Sequence, residues 1–228
     1  MSISWNNATW LATRSIRESW SAVVLTALYF AFMGMVLAND TSFGREFAHP
    51  VLMLILIQPA LSARYMSWKS DNEVVRHQMF LRSLPISFGT IIASRLIVML
   101  VAGIVNIPLY FASFWYFDQG WPAFKNFVAW SIFWIGLAIG CAGFSLIQEF
   151  KLSIKRWTTM NFTVLSVIGV FALVIFLTTD IRPVQKSIDV ASTHPWILAA
   201  SGLVIGIAAL IYSIGVAVRS FRRREFAL

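Results

Sequence analysis

Residues Leu96–Phe117 read LIVMLVAGIVNIPLYFASFWYF. The run holds 22 residues and no Asp, Glu, Lys, Arg or His. A helix of about 20 apolar residues crosses the hydrocarbon core of a bilayer. In lipid, only helices and closed barrels satisfy their own backbone polar groups. Working outward, five more segments carry the same signature: Trp20–Ala38, Pro50–Tyr65, Phe127–Ile147, Phe162–Thr178 and Trp196–Val218. The chain therefore reads as an all-α integral membrane protein with six transmembrane helices. Composition excludes the alternatives. The 228 residues are 58% hydrophobic and 12% charged, with mean hydropathy +0.74. Soluble domains carry about 25% charged residues, so this chain could not cover a surface in water. Disorder requires the opposite balance, low hydrophobicity and high charge.

Orientation follows from the basic residues. The N-terminus (Arg14, Arg17), the segment after span two (Arg64, Lys69, Arg76, Arg82, Arg95), the segment after span four (Lys151, Lys155, Arg156) and the tail (Arg219, Arg222, Arg223, Arg224) hold 14 of the 18 Lys and Arg. Arg45, Lys125, Arg182 and Lys186 fall on the opposite side. Cytoplasmic loops carry the excess of Lys and Arg, so both termini are expected in the cytoplasm of a multi-pass protein. The net charge of +8 then reports topology and attraction to anionic lipid headgroups, not a nucleic-acid partner. Residues 1–228 form one transmembrane domain: an N-terminal interfacial helix over 1–19, the six-span bundle over 20–218 and a basic cytoplasmic tail over 219–228. No cleavable leader is expected, because Trp5, Trp10, Arg14 and Arg17 precede no short apolar core with a small-residue site. Ala8, Leu11, Ala12, Ser15 and Ile16 share one face of the N-terminal helix. Trp20 is expected at an inner membrane boundary, and Trp115, Trp121 and Trp196 at an outer one.

Apart from Arg64 at the inner end of span two, the six spans hold no Asp, Glu, Lys, Arg or His. His49, His77 and His194 fall in predicted loops, and no Cys or His spacing suits a metal. No GxxxxGK[ST] phosphate loop is present. The expectation is a chain with no catalytic residue, no metal and no directly bound cofactor. The polar residues at depth are Gln58, followed by Pro59, and Asn106, followed at 108 by Pro108. Proline removes a helical hydrogen bond and kinks the helix. Two readings stay open for this set: a kinked, partly polar lining of a translocation path, or packing kinks with amides bonding between helices. Gly136 and Gly140 form one GxxxG pair and Gly202 and Gly206 another, a spacing that permits close helix approach. The lone Cys141 reads as a small buried hydrophobe.

Between spans two and three lies Trp68–Arg95, WKSDNEVVRHQMFLRSLPISFGTIIASR. Ser70 with Glu73 fits a capping box. A short helix is expected from Asp71 to about Ser83, ending before Pro85, and Ser87 is placed to cap the helix that follows. The acidic start, the short helix and Leu81–Ser87 (LRSLPIS), leading into Ala93-Ser94-Arg95 and an apolar span, resemble permease subunits of type-two ABC transporters. The motif covers about 20 residues. The six-span layout with inside termini extends the likeness over most of the chain. A short cytoplasmic coupling helix between helices 2 and 3 is implied by that resemblance, with Asp71, Glu73, Arg76, His77, Phe80 and Arg82 on or near it. So are partner ABC ATPase subunits that bind ATP and magnesium, a second permease copy or a homologous permease, and a bacterial cell membrane. The cargo expected is hydrophobic or amphipathic (a peptide, lipid or drug) and the direction is export. A membrane scaffold, immunity or sensor module is the competing expectation. The last outer loop, Thr179–Pro195, has room only for a brief helix.

Overall fold

The computed structural model describes residues 3–18, 20–39, 43–57, 86–118, 121, 123–151 and 182–225. Among these residues the chain forms seven helices and no strand: α1 (Trp5–Glu18), α2 (Trp20–Asn39), α3 (Phe43–Ile55), α4 (Phe88–Phe117), α5 (Phe124–Lys151), α6 (Pro183–Thr193) and α7 (Pro195–Glu225). Three of them are long and apolar enough to cross a membrane, over Phe88–Phe117, Phe124–Phe144 and Pro195–Arg219. Helices α1 and α2, bent by 71° at their junction, qualify as a fourth if they act as one span. Predicted span five and the coupling segment lie outside the described residues.

Helix α4 begins earlier than the apolar run, at Phe88, because Ser87 caps it as expected. The Ser87 hydroxyl accepts from the Thr90 backbone N–H at 3.3 Å. Arg95, expected in the inner loop, is therefore inside α4 and 5% exposed; its guanidinium donates to the Ser15 hydroxyl of α1 at 3.5 Å. Helix α1 buries Ala8, Leu11 and Ala12, the face picked out by periodicity. That face is covered by protein: Leu11 packs with Phe88, Ile91, Ile92 and Ala217. The Ser4 N–H also donates to the Thr90 hydroxyl. Thus α1, the start of α4 and the last turns of α7 meet at one end of the bundle, the near end. The turn after α4, the start of α3 and helix α6 form the far end.

Helices α5 and α7 pack most closely. A Cβ placed on Gly206 would fall inside the backbone of Gly136, and one on Gly202 inside that of Phe133. A Cβ on Gly143 would lie 2.9 Å from the Leu210 Cα. Both GxxxG pairs are thus spent on one seam within the chain. Gly34 of α2 approaches the α4 backbone near Tyr110 and Phe114 in the same way. The outward faces of α2 (Leu25, Leu28, Phe32) and α7 (Val204, Ile207, Ile211) are apolar and exposed, as lipid contact requires. Trp5, Trp10, Trp20 and Trp196 are exposed and suit an aromatic belt. Trp115 and Trp121, at the far end, are half-buried. Both rings pack on Phe127, and the Trp121 indole donates to Asp118 at 3.1 Å.

Candidate functional site

Two regions stand out. The first is a cleft of about 680 Å³ between α4 and α5. Among the described residues it is lined by Leu96, Leu100, Gly103, Ile104 and Pro108 of α4, by Ile135, Ile139 and Ala142 of α5, and by Trp5, Ile57 and Leu210. Its wall is almost wholly apolar, with no charged side chain in that lining. Pro108 lies within α4, which runs unbroken from Phe88 to Phe117. Its missing N–H leaves the Ile104 carbonyl without the usual partner, one turn away on the cleft wall. Gly103 provides the width: a Cβ there would meet only Ile107 and Ile57 side chains, at 3.5 and 3.8 Å.

Asn106 sits beside this cleft and is fully buried. Its amide donates to the Leu56 carbonyl at 3.0 Å. Leu56 follows the last residue of α3, so Asn106 satisfies one of the carbonyls that a helix end leaves orphaned. The Asn106 Oδ1 has no partner among the described residues. Of the residues singled out in the sequence, the structure describes Asn106 and Pro108 and brings both to the edge of one cleft. Gln58, Pro59, Asp71, Glu73, Arg76, His77, Phe80 and Arg82 lie outside the described residues.

The second region, at the far end, was not among the sequence candidates. Residues 45–49 were expected in an outer loop. They form the first turns of α3 instead, and Arg45, Glu46 and His49 are 7%, 7% and 0% exposed. The His49 ring bonds the Tyr110 hydroxyl. Trp130 and Trp134 lie 4.8 and 4.6 Å from it, centroid to centroid, with Phe114 at 5.9 Å. Helix α6 covers this cluster. Trp130 donates to the Ser187 hydroxyl at 2.8 Å, and Ser187 donates to the Val184 carbonyl. Arg45 pairs with Asp118 at 3.7 Å and donates to the Gln185 side chain at 3.3 Å. Glu46 accepts from the Val184 and Gln185 backbone N–H groups at 2.6 and 3.0 Å. A sequence signal existed: Arg45, His49, Leu52, Met53 and Leu56 recur at i, i+4, i+7, i+8 and i+11. That is one helical face, and all five are buried. The charges at its start disguised it as loop.

The fold is thus a helical membrane bundle with an apolar cleft toward one end and a hydrogen-bonded cap at the other. A family model described as ABC-2 family transporter protein matches residues 13–222. The chain belongs to the ABC-2 transporter family. No curated protein and no solved structure matches it. ABC-2 permeases are normally non-catalytic membrane subunits that work with ABC ATPases. The match runs from within α1 into α7, and it takes in the cap of this ABC-2 protein and every residue named for the cleft except Trp5.

Proposed function

We propose that the chain is the permease subunit of an ATP-driven exporter whose cargo is hydrophobic or amphipathic, and that the cleft between α4 and α5 receives the apolar part of that cargo. The observation that carries this reading is the cleft's apolar, uncharged wall. Its volume lies within the range of about 300–1,000 Å³ typical of small-molecule sites. A wall without charges binds an acyl chain or an apolar side chain and offers nothing to an ion or sugar.

In this reading the bundle has six spans, with both termini and the near end in the cytoplasm of a bacterial cell membrane. A second permease copy, identical or homologous, completes the path. ABC ATPase subunits dock against Asp71, Glu73, Arg76, His77, Phe80 and Arg82 and handle ATP and magnesium. Binding of ATP by that partner shifts the permease between two conformations for which the partner has different affinity. This chain contributes the cleft, the close-packed α5–α7 pair that moves as a unit, and the cap that closes the far end.

The test is ATP turnover by the copurified complex in proteoliposomes, with a single-chain amphiphile added. Gly103→Phe places a ring in the cleft. It is expected to keep attachment of the ATPase and basal turnover while losing amphiphile stimulation. Phe80→Ala with Glu73→Ala is expected to lose attachment itself. A chain that purifies without an ABC ATPase, and whose variants change neither property, would instead be the membrane scaffold or sensor.

A further inference from the structure

Helix α6 has an incomplete N-terminus. Its N-cap residue, Arg182, makes no side-chain capping bond, and Pro183 occupies the first turn without an N–H. The next two donors, the N–H groups of Val184 and Gln185, would be orphaned. A helix normally supplies the acceptor from its own N-cap. Here it comes from Glu46, 138 residues earlier in the chain, one carboxylate oxygen to each N–H. Glu46 lies in the first turn of α3 and is 7% exposed. One buried carboxylate therefore sits at the positive ends of two helices, where negative charge is favoured. Arg45 extends the attachment through Gln185 and Asp118.

Beyond Glu46 and Arg45, α6 is held by one narrow face and the Trp130–Ser187 bond. Eleven residues long, it buries Val184, Ser187 and Ala191, and Gln185, Lys186, Asp189 and Val190 are exposed. A helix this short is marginal without tertiary support. We infer that Glu46 is a latch: its carboxylate holds α6 closed over the aromatic cluster around His49, and releasing those two backbone bonds uncovers the far end of the bundle. The latch stands on the fold and not on the transport reading, and its test uses neither cargo nor ATPase.

The experiment measures labelling by a water-soluble maleimide in the full chain, purified in detergent, with Cys141→Ala as background. Ala191→Cys reports on α6, and Ala217→Cys reports on the near end; both positions are 0% exposed. Glu46→Gln keeps the size of the side chain and one acceptor oxygen but removes the charge. It is expected to speed labelling at 191 by about ten-fold, the effect of weakening a charge-assisted bond pair, with Glu46→Ala faster still. Labelling at 217 should stay at the parent rate in both. Equal rates at 191 for Glu46 and Glu46→Gln would show that shape alone holds α6, and would overturn the latch. A rise at 217 matching that at 191 would make Glu46 a general stability residue, and would overturn it as well.

Discussion

Helix α5 meets its neighbours by opposite means on two faces. Toward α7 it presents Gly136, Gly140 and Gly143, and contact is backbone on backbone. Toward α3 and α6 it presents Trp130 and Trp134, and contact runs through ring packing against His49 and one hydrogen bond, from Trp130 to Ser187. The first face is fixed by shape, since apolar side chains gain nothing from leaving lipid and close packing must supply the attraction. The second is held by ring packing and a few polar bonds, Trp130 to Ser187 and His49 to Tyr110, while Trp134 Nε1 and His49 Nε2 are buried without a partner among the described residues. A shape-fixed seam has one arrangement and tolerates no added atom. A hydrogen-bonded cap can exchange its bonds for water and open. The difference assigns rigidity to the α5–α7 pair and movement to the far end.

The largest effect is expected from Trp130→Ala, which removes a fully buried ring and the bond to Ser187. A loss of about 4 kcal/mol, typical of such truncations, should appear as a lower thermal midpoint in detergent. Retention of the midpoint would mean the cap contributes nothing to the fold. Next comes Gly206→Ala, whose single methyl overlaps the Gly136 backbone. Overpacking of this kind costs about 3 kcal/mol. Gly215→Ala on the same helix is its control, because a Cβ there meets only the far end of Arg219 at 3.6 Å. It should gain up to about 1 kcal/mol from helix propensity. If both alanine variants behave alike, the seam is not shape-fixed.

These contrasts also mark what the sequence made legible. Long apolar runs must be helices in lipid, so α2, α4, α5 and α7 could be read directly, with Ser87 as a cap and α6 as a brief helix in the last loop. The partners of those helices could not. The small residues at 136, 140, 202 and 206 announced a close approach without saying that they face each other rather than a second copy. Glu46 and Arg45 looked like loop charges because their partners lie 73 to 140 residues away. A single sequence carries no trace of such pairings. The ring contacts of Trp115 and Trp121 with Phe127 were hidden for a related reason: a tryptophan beside a span is equally suited to a lipid belt and to ring packing at the end of a bundle.

Smaller effects test the joint between the two regions. Asn106→Leu keeps the volume and removes the donor to the Leu56 carbonyl. It should cost about 1 kcal/mol and shift the thermal midpoint by less than the glycine variant does. A larger loss would place Asn106 in a wider polar network than its one bond to Leu56. Ser87→Ala removes the α4 cap and should cost about 1 kcal/mol. Faster amide hydrogen exchange should be confined to the first turn of α4, around Phe88–Ile91. Exchange spreading to Tyr110 would show that the near and far ends unfold together rather than independently.

The cleft is where function and fold meet, and photo-crosslinking addresses it most directly. A single-chain amphiphile with a photoreactive group on its acyl chain is incubated with the chain in its native membrane, irradiated, and mapped by peptide mass. The expected crosslinks fall on Gly103–Pro108 of α4 and Ile135–Ile139 of α5, and disappear in Gly103→Phe. Crosslinks confined to the outward residues Leu28, Phe32, Ile207 and Ile211, unchanged by Gly103→Phe, would contradict a cargo site between α4 and α5.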